Sequence, residues 1–162
     1  MTVTREAGMS AKAGDGRCTL RLALSGDVPA ISEIEQLSFA DPWSVASFLA
    51  LIADPRVDFR VAEEGGSVLG YVILWSVLDE SELANIAVAP AARGRGLGAL
   101  LLDAVLDTAR AGGSVTTHLE VRESNIAARA LYRSRGFAEV RRRKGYYRSP
   151  EEDAVVMARG SA

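Results

Sequence analysis

The chain has 162 residues, 48% of them hydrophobic, which suffices for one packed core without disulfide or metal staples and leaves no room for a second domain of ordinary size. Its 19 basic and 21 acidic side chains leave a formal charge of -2, which excludes a globally basic polyanion-binding surface, and its one cysteine, Cys18, excludes an internal disulfide framework. No apolar run approaches the ~20 residues of a membrane span, and the opening MTVTREAGMSAKAGDG lacks the apolar centre of a secretory signal, so a cytoplasmic protein is expected.

Residues 1–17 are small, polar and without periodicity, and predict a disordered tail ahead of one domain over 18–162. CTLRLAL alternates as a strand does. In DVPAISEIEQLSF, Asp27 stands as an N-cap, Pro29 lies in the first turn, and Ile31, Ile34 and Leu37 recur at helical spacing. Asp41-Pro42 breaks that helix, Ser44 caps VASFLALIA, and Asp54-Pro55 stops it. DFRVAEE, Gly65-Gly66 and SVLGYVILWSVL read as a hairpin, and SELANIAVAP as a strand from about Glu82 to Val88. A helix is predicted over Leu97–Ala111, with Leu97, Leu101, Ala104, Val105 and Ala109 on one stripe and Gly112-Gly113 as its stop. SVTTHLEVR is a strand, SNIAARALYRSRG a short helix capped by Ser124 or Asn125, and FAEVRRRKGYY and EDAVVMAR are two closing strands. The order β-α-α-β-β-β-α-β-α-β-β predicts an α/β (α+β) fold, mostly antiparallel, with one central β-α-β unit.

The stretch AARGRGLGA, residues 91–99, opens the helix of that unit. A helix N-terminus offers unpaired N–H groups and the positive end of its dipole, and so attracts phosphate. Gly96 and Gly98 clear the approach, while Arg93 and Arg95 add mobile positive charge. A Gly-rich loop with two solvated arginines is the simpler alternative, but the strand before and the amphipathic helix after favour a pyrophosphate cradle. Gly94 to Ala99 also fit a relaxed dinucleotide fingerprint with Glu120 about 20 residues on, although Pro90 to Arg93 separate the glycines from their strand. No Gly-Lys-Ser/Thr follows, which excludes a Walker cradle.

The pattern Arg93-x-x-Gly96-x-Gly98, between NIAV and a helix, resembles the acetyl-CoA motif of the GNAT superfamily of N-acetyltransferases. FADPWS (39–44), VLDE (77–80), NIAVAP (85–90), LEVRESN (119–125), ALYRSRGF (130–137), Tyr146-Tyr147 and EDAVVM (152–157) resemble its RimI type, whose members acetylate the N-terminal alanine of the eighteenth small-subunit ribosomal protein. The resemblance spans about Leu20 to Met157 and implies a GNAT-like sheet flanked by helices. It implies acetyl-CoA as cofactor, with the backbone of Ile86, Ala87 and Val88 against the pantetheine arm and the pyrophosphate held by Arg93, Gly94, Arg95, Gly96, Leu97, Gly98 and Ala99. Asn125 and Tyr132 would touch the cofactor further along.

Only a neutral amine attacks a thioester, so the reaction needs a base, and an acid for the leaving thiolate. Strand alternation puts Thr116, His118, Glu120 and Arg122 on one face and Val115, Thr117, Leu119 and Val121 on the other. Alone, Glu120 reads equally as an ion-pair partner of Arg122; the resemblance makes it the general base, directly or through water, and makes Tyr132 the general acid. It also implies that Trp43, Tyr146 and Tyr147 wall the channel for a protein N-terminus. Glu80 and Glu82 are candidates to hold the incoming ammonium. His118 is the only histidine, so no metal of the usual His or Cys type is expected. The run Arg141 to Lys144 reads as a solvated strand rather than a nucleic-acid contact, and neither a nucleic-acid nor a membrane partner is expected. The acceptor implied is a ribosomal-protein N-terminus, with lysine or small amines as the alternative acceptors and an acetyl-CoA-binding sensor without turnover as the alternative of another class.

Overall fold

The computed structural model describes residues 10–13 and 16–160. β1 (Ser10–Ala13) and β2 (Gly16–Leu22) pair antiparallel, and a 3₁₀ turn leads into α1 (Val28–Ser38) and then α2 (Val45–Ala53). β3 (Val57–Glu64), β4 (Ser67–Val77) and β5 (Glu80–Val88) follow as a meander. A second 3₁₀ turn, Pro90–Ala92, precedes α3 (Leu97–Ala111), β6 (Thr116–Arg122), α4 (Ile126–Ser134), β7 (Ala138–Tyr147) and β8 (Glu152–Gly160).

These strands make one sheet in the order β1-β2-β3-β4-β5-β6-β8-β7. Every neighbouring pair is antiparallel except β5 with β6, which α3 joins as the β-α-β crossover. Period-2 alternation divides the core between the two faces. On one, Val28, Ile31 and Ile34 of α1 and Phe48 of α2 cover Phe59, Val61, Tyr71, Ile73 and Ala87. On the other, Leu97, Leu101, Leu102 and Val105 of α3 and Tyr132 of α4 cover Val72, Leu74, Leu83, Leu119 and Val121. Thr117, Leu119 and Val121 are buried there, as the alternation of β6 requires. Among the described residues no helix is long and apolar enough to cross a membrane.

Three expectations change. Residues 1–9 and 14–15 of the predicted tail lie outside the described residues, but the rest of it forms β1 and the start of β2, with Ser10 opposite Thr19. Main-chain pairing carries that hairpin, so the sequence shows no alternation to announce it. Asp27 holds the N-cap position of α1, as expected, but its side chain makes no cap bond to the helix: its carboxylate accepts the Leu24 N–H (2.8 Å), closing the 3₁₀ turn, and binds Arg21 through both oxygens (2.7 and 2.8 Å). β5 starts at Glu80, two residues early, because Glu80 pairs with Val77 across a tight turn.

One irregularity prepares the site. The register of β4 with β5 jumps from Ile73↔Asn85 to Leu74↔Leu83, so Ala84 is an extra, bulged residue. Beyond it β5 and β6 part: their pairing ends at Leu83↔Leu119, although β5 runs on to Val88 and β6 to Arg122.

Candidate active site

The parted strands leave the edge of β5 from Asn85 to Val88 unpaired towards β6, and Ile86, Ala87 and Val88 lie on that edge. The edge leads to the start of α3. Gly94 and Gly96 hold φ of +80° and +79°, a left-handed conformation that glycine adopts without strain, and so turn the chain into the helix. Gly96 is an N-cap without a side chain, and the first intrahelical bond runs from Leu100 N–H to the Gly96 carbonyl (3.1 Å). The N–H groups of Leu97, Gly98 and Ala99 therefore face out of the helix end. A methyl at Gly98 would stand 3.6 Å from Leu131 Cδ2 and 4.0 Å from Val88 Cγ2, which places this end between α4 and the tip of β5. An amide-lined helix end at the close of an unpaired strand edge fits a pyrophosphate followed by an amide-bearing arm.

The arginines are braced, contrary to the expectation of mobile charge. Arg93 donates from Nε to the Val88 carbonyl (3.0 Å) and from Nη2 to Ser38 Oγ (3.2 Å), and Arg95 pairs with Glu64. The bonds to Ser38 and Glu64 reach across the fold to partners the local pattern does not reveal.

On the α1/α2 face, a cavity of about 690 Å³ is lined by Trp75, Glu80, Glu82, His118, Glu120 and Tyr146 among others. Their grouping follows from register: Trp75 pairs with Glu82, Glu82 with His118, and Glu120 with Val156. Glu120 has two polar neighbours. Arg143 places Nε 3.3 Å from Oε1, and Tyr146 donates a hydrogen bond to the carboxylate, which raises the Tyr146 pKa. The Arg143 guanidinium also lies over the Tyr146 ring at 5.2 Å. Burial, and then the negative charge of Glu120, push the Glu82 carboxyl above its ordinary range, while His118 and Arg143 oppose the shift.

Tyr132 rises from α4 on the opposite, α3/α4 face, 6% exposed, with its ring edge-on to Phe137 at 5.9 Å. Burial, and then the neighbouring Tyr147 phenol, push its pKa well above the usual tyrosine range. Tyr147 links the two groups: its own pKa is pushed up to about 12, by burial first and by Glu120 second. Arg122 lies over the Tyr147 ring at 4.5 Å and pairs with Glu152 at 3.2 Å, so it is not the ion-pair partner of Glu120.

Other expected site residues stand apart from this cavity. Asn125 commits its Oδ1 to the Ala128 N–H (3.2 Å) as the N-cap of α4. Trp43, in the α1–α2 connection, rests against Phe48 with ring centroids 5.9 Å apart. Arg143 was hidden within a run that reads as solvated, and Arg142 of the same run binds Glu123 and Glu139. A buried cluster of Glu35, Tyr71 and Asn85 also escaped the sequence reading, although an acid on the apolar stripe of α1 was its trace.

Residues 28–137 match the model of the acetyltransferase (GNAT) family. The [ribosomal protein bS18]-alanine N-acetyltransferase of Escherichia coli K12 is 41% identical over 134 residues, 82% of this chain and 90% of that protein. The N-alpha-acetyltransferase RimI of Mycobacterium tuberculosis is 39% identical over 149 residues, 88% of this chain and 92% of its own length. The crystal structure of the ribosomal-protein-S18-alanine N-acetyltransferase from Escherichia coli superposes with a TM-score of 0.84 at 38% identity, over 90% of this chain and 94% of the other. With the family model covering most of the chain and a relative 41% identical over more than four-fifths of it, the protein belongs to the acetyltransferase (GNAT) family.

Proposed function

We propose that this protein is an acetyl-CoA-dependent N-terminal acetyltransferase whose acceptor is the N-terminal alanine of ribosomal protein bS18, in the cytoplasm. The acceptor is argued from the similarity to the bS18-alanine enzymes, which extends over more than four-fifths of the chain. The observation that carries the chemistry is the opening between β5 and β6, with the helix-end amides on one side of it and the Glu82–Glu120 cavity on the other.

The cofactor, when bound, supplies a thioester-activated acetyl group. Ile86, Ala87 and Val88 offer their backbone to its arm, residues Arg93 to Ala99 hold its pyrophosphate, and Asn125 and Tyr132 flank it further on. The braced Arg93 and Arg95 serve this role by shaping the loop and adding fixed positive charge.

An α-amino group has a pKa of ~7.7–8.0 against ~10.4 for lysine, so an N-terminus surrenders its proton more readily at neutral pH. Glu80 and Glu82 draw the ammonium into the cavity, and Trp43, Tyr146 and Tyr147 wall its path. Glu120 accepts the proton at a carboxylate oriented by Arg143 and Tyr146. Tyr132, kept protonated by burial, holds the proton required by the departing sulfur.

Incubation with acetyl-CoA and two peptides tests this reading. One carries the bS18 N-terminal alanine and the other has a blocked N-terminus and a lysine. Mass spectrometry is expected to find acetyl on the α-amine of the first alone; acetyl only on lysine overturns the assignment.

A further inference from the structure

Glu35 is 1% exposed and stands on the inner stripe of α1 beside Ile31 and Ile34, where an apolar side chain would pack without desolvating a charge. Its oxygens are divided between two parts of the fold. Oε1 accepts the backbone N–H of Trp43 at 3.1 Å, in the α1–α2 connection. Oε2 accepts the Tyr71 hydroxyl of β4 and Asn85 Nδ2 of β5, the latter at 2.8 Å. Asn85 then accepts the Ile86 N–H at 2.9 Å. Among the described residues no cation pairs with Glu35, so the carboxylate is held by neutral donors, each of which ties down a different segment.

Aromatic rings close the circuit. Phe48, fully buried, lies 5.9 Å from the Trp43 ring and 5.8 Å from the Tyr71 ring. The backbone of Trp43 is thus fixed from below and its indole braced from the side, leaving it 36% exposed. Tyr71, Ile73 and Trp75 share one face of β4, so the connection sits at one end of a row whose other end lines the Glu120 cavity, ~13 Å away at strand rise.

We propose that Glu35 is a positioning residue of the acceptor site: its buried carboxylate locks the α1–α2 connection, and with it Trp43, against β5 where that strand leaves β6. The proposal rests on the reading above that Trp43 walls the acceptor path. Glu35 touches no reacting atom, and its effect falls on how the acceptor is held.

Two measurements on the full chain test it, with Glu35→Gln as the first variant and Tyr71→Phe, which keeps the acid and removes one anchor, as the second. In steady-state kinetics, KM for the bS18 N-terminal peptide is expected to rise about tenfold in Glu35→Gln and less in Tyr71→Phe, with kcat and the acetyl-CoA KM within about twofold of the parent. In a Trp75→Phe background, where Trp43 is the only tryptophan, acrylamide quenching of its fluorescence is expected to rise roughly twofold on Glu35→Gln. Unchanged quenching overturns the lock, and changed quenching with an unchanged peptide KM overturns its role in acceptor binding. If Glu35→Gln does not fold, the same two readouts on Tyr71→Phe decide. A parent chain inert towards the peptide refutes the proposed acceptor, while the lock still stands or falls on the fluorescence.

Discussion

Gly70 lies on β4 opposite Val88, and replacing it with alanine sets a fold-level distance against the strand proposed to carry the cofactor arm. The new methyl would stand 2.9 Å from the Ala87 carbonyl oxygen, 3.2 Å from Leu101 Cδ1 and 3.4 Å from Val88 Cγ2. Leucine and valine methyls can rotate aside, whereas the carbonyl retreats only if β5 shifts by several tenths of an ångström. Overpacking of this kind costs ~1–3 kcal/mol, and the reduced freedom of the unfolded chain returns ~0.4–1 kcal/mol. At the middle of these ranges the net loss is ~1.3 kcal/mol, or a Tm lowered by ~3–5 °C at the ~2–4 °C per kcal/mol expected for a chain of this size. Because the shifted residues are Ala87 and Val88, coenzyme A affinity is expected to fall as well. Urea and thermal unfolding of the free protein read the first effect and isothermal titration with coenzyme A the second. Gly98→Ala supplies the contrast. Its methyl meets only ordinary contacts of 3.6 and 4.0 Å, and alanine is favoured over glycine within a helix by ~0.8–1 kcal/mol, so stability should rise while coenzyme A binding weakens at the amide end. Unchanged or increased stability in Gly70→Ala would refute the argument that β4 and β5 meet there without slack.

Glu120→Gln is expected to lower kcat by ~10²–10⁴-fold with coenzyme A binding retained; a pH–rate profile identical to the parent's removes Glu120 from the role of base. Tyr132→Phe should likewise keep coenzyme A affinity and lose ~10²-fold or more in kcat, and full activity in a single-turnover assay dismisses it as the acid. The raised pKa of Glu82 makes its ionisation oppose folding: the penalty is absent below the ordinary value of 4.5 and complete above the folded value. Glu82→Gln should therefore gain stability over the parent as pH rises through that window and gain nothing below it, which urea midpoints across a pH series will show; a difference that does not vary with pH contradicts the assignment.

Local rules located what local forces determine. The bounds of α3 agree with expectation at Leu97 and Ala111 because glycines stand at both ends, and the face assignment of β6 follows from strict alternation. Three-dimensional neighbours decided the remainder. Nothing in an alanine at position 84 announces a bulge, which appears only when the span Glu80–Val88 is laid against its partners Gly70–Val77, one residue shorter. Arg95 reads as free charge until Glu64, 31 positions away, arrives across the sheet. Arg143 sits in a basic run whose members look alike in sequence. The pairing of β7 with β8 sets Arg141 in line with Glu120 and Arg143 in line with Arg122, on the same face, and it is the Arg143 side chain that reaches the Glu120 carboxylate from there. Glu35 was the one informative conflict, an acid where helical spacing calls for an apolar side chain.

The bulge at Ala84 has a wider consequence for how β5 can change. Glu82 and Asn85 are separated by an odd number of steps, so in an unbroken strand they would point to opposite sides of the sheet. The surplus residue acts as a half-period offset that brings both to the same side, one beside His118 and the other beneath α1. Drawing Ala84 into the regular ladder would make the two demands mutually exclusive, with either Glu82 or Asn85 inverted, whereas deleting it would leave them two regular steps apart and still on one side. The carboxylate proposed to draw the ammonium and the lock proposed for the acceptor path are in this sense phased by one small residue that belongs to neither.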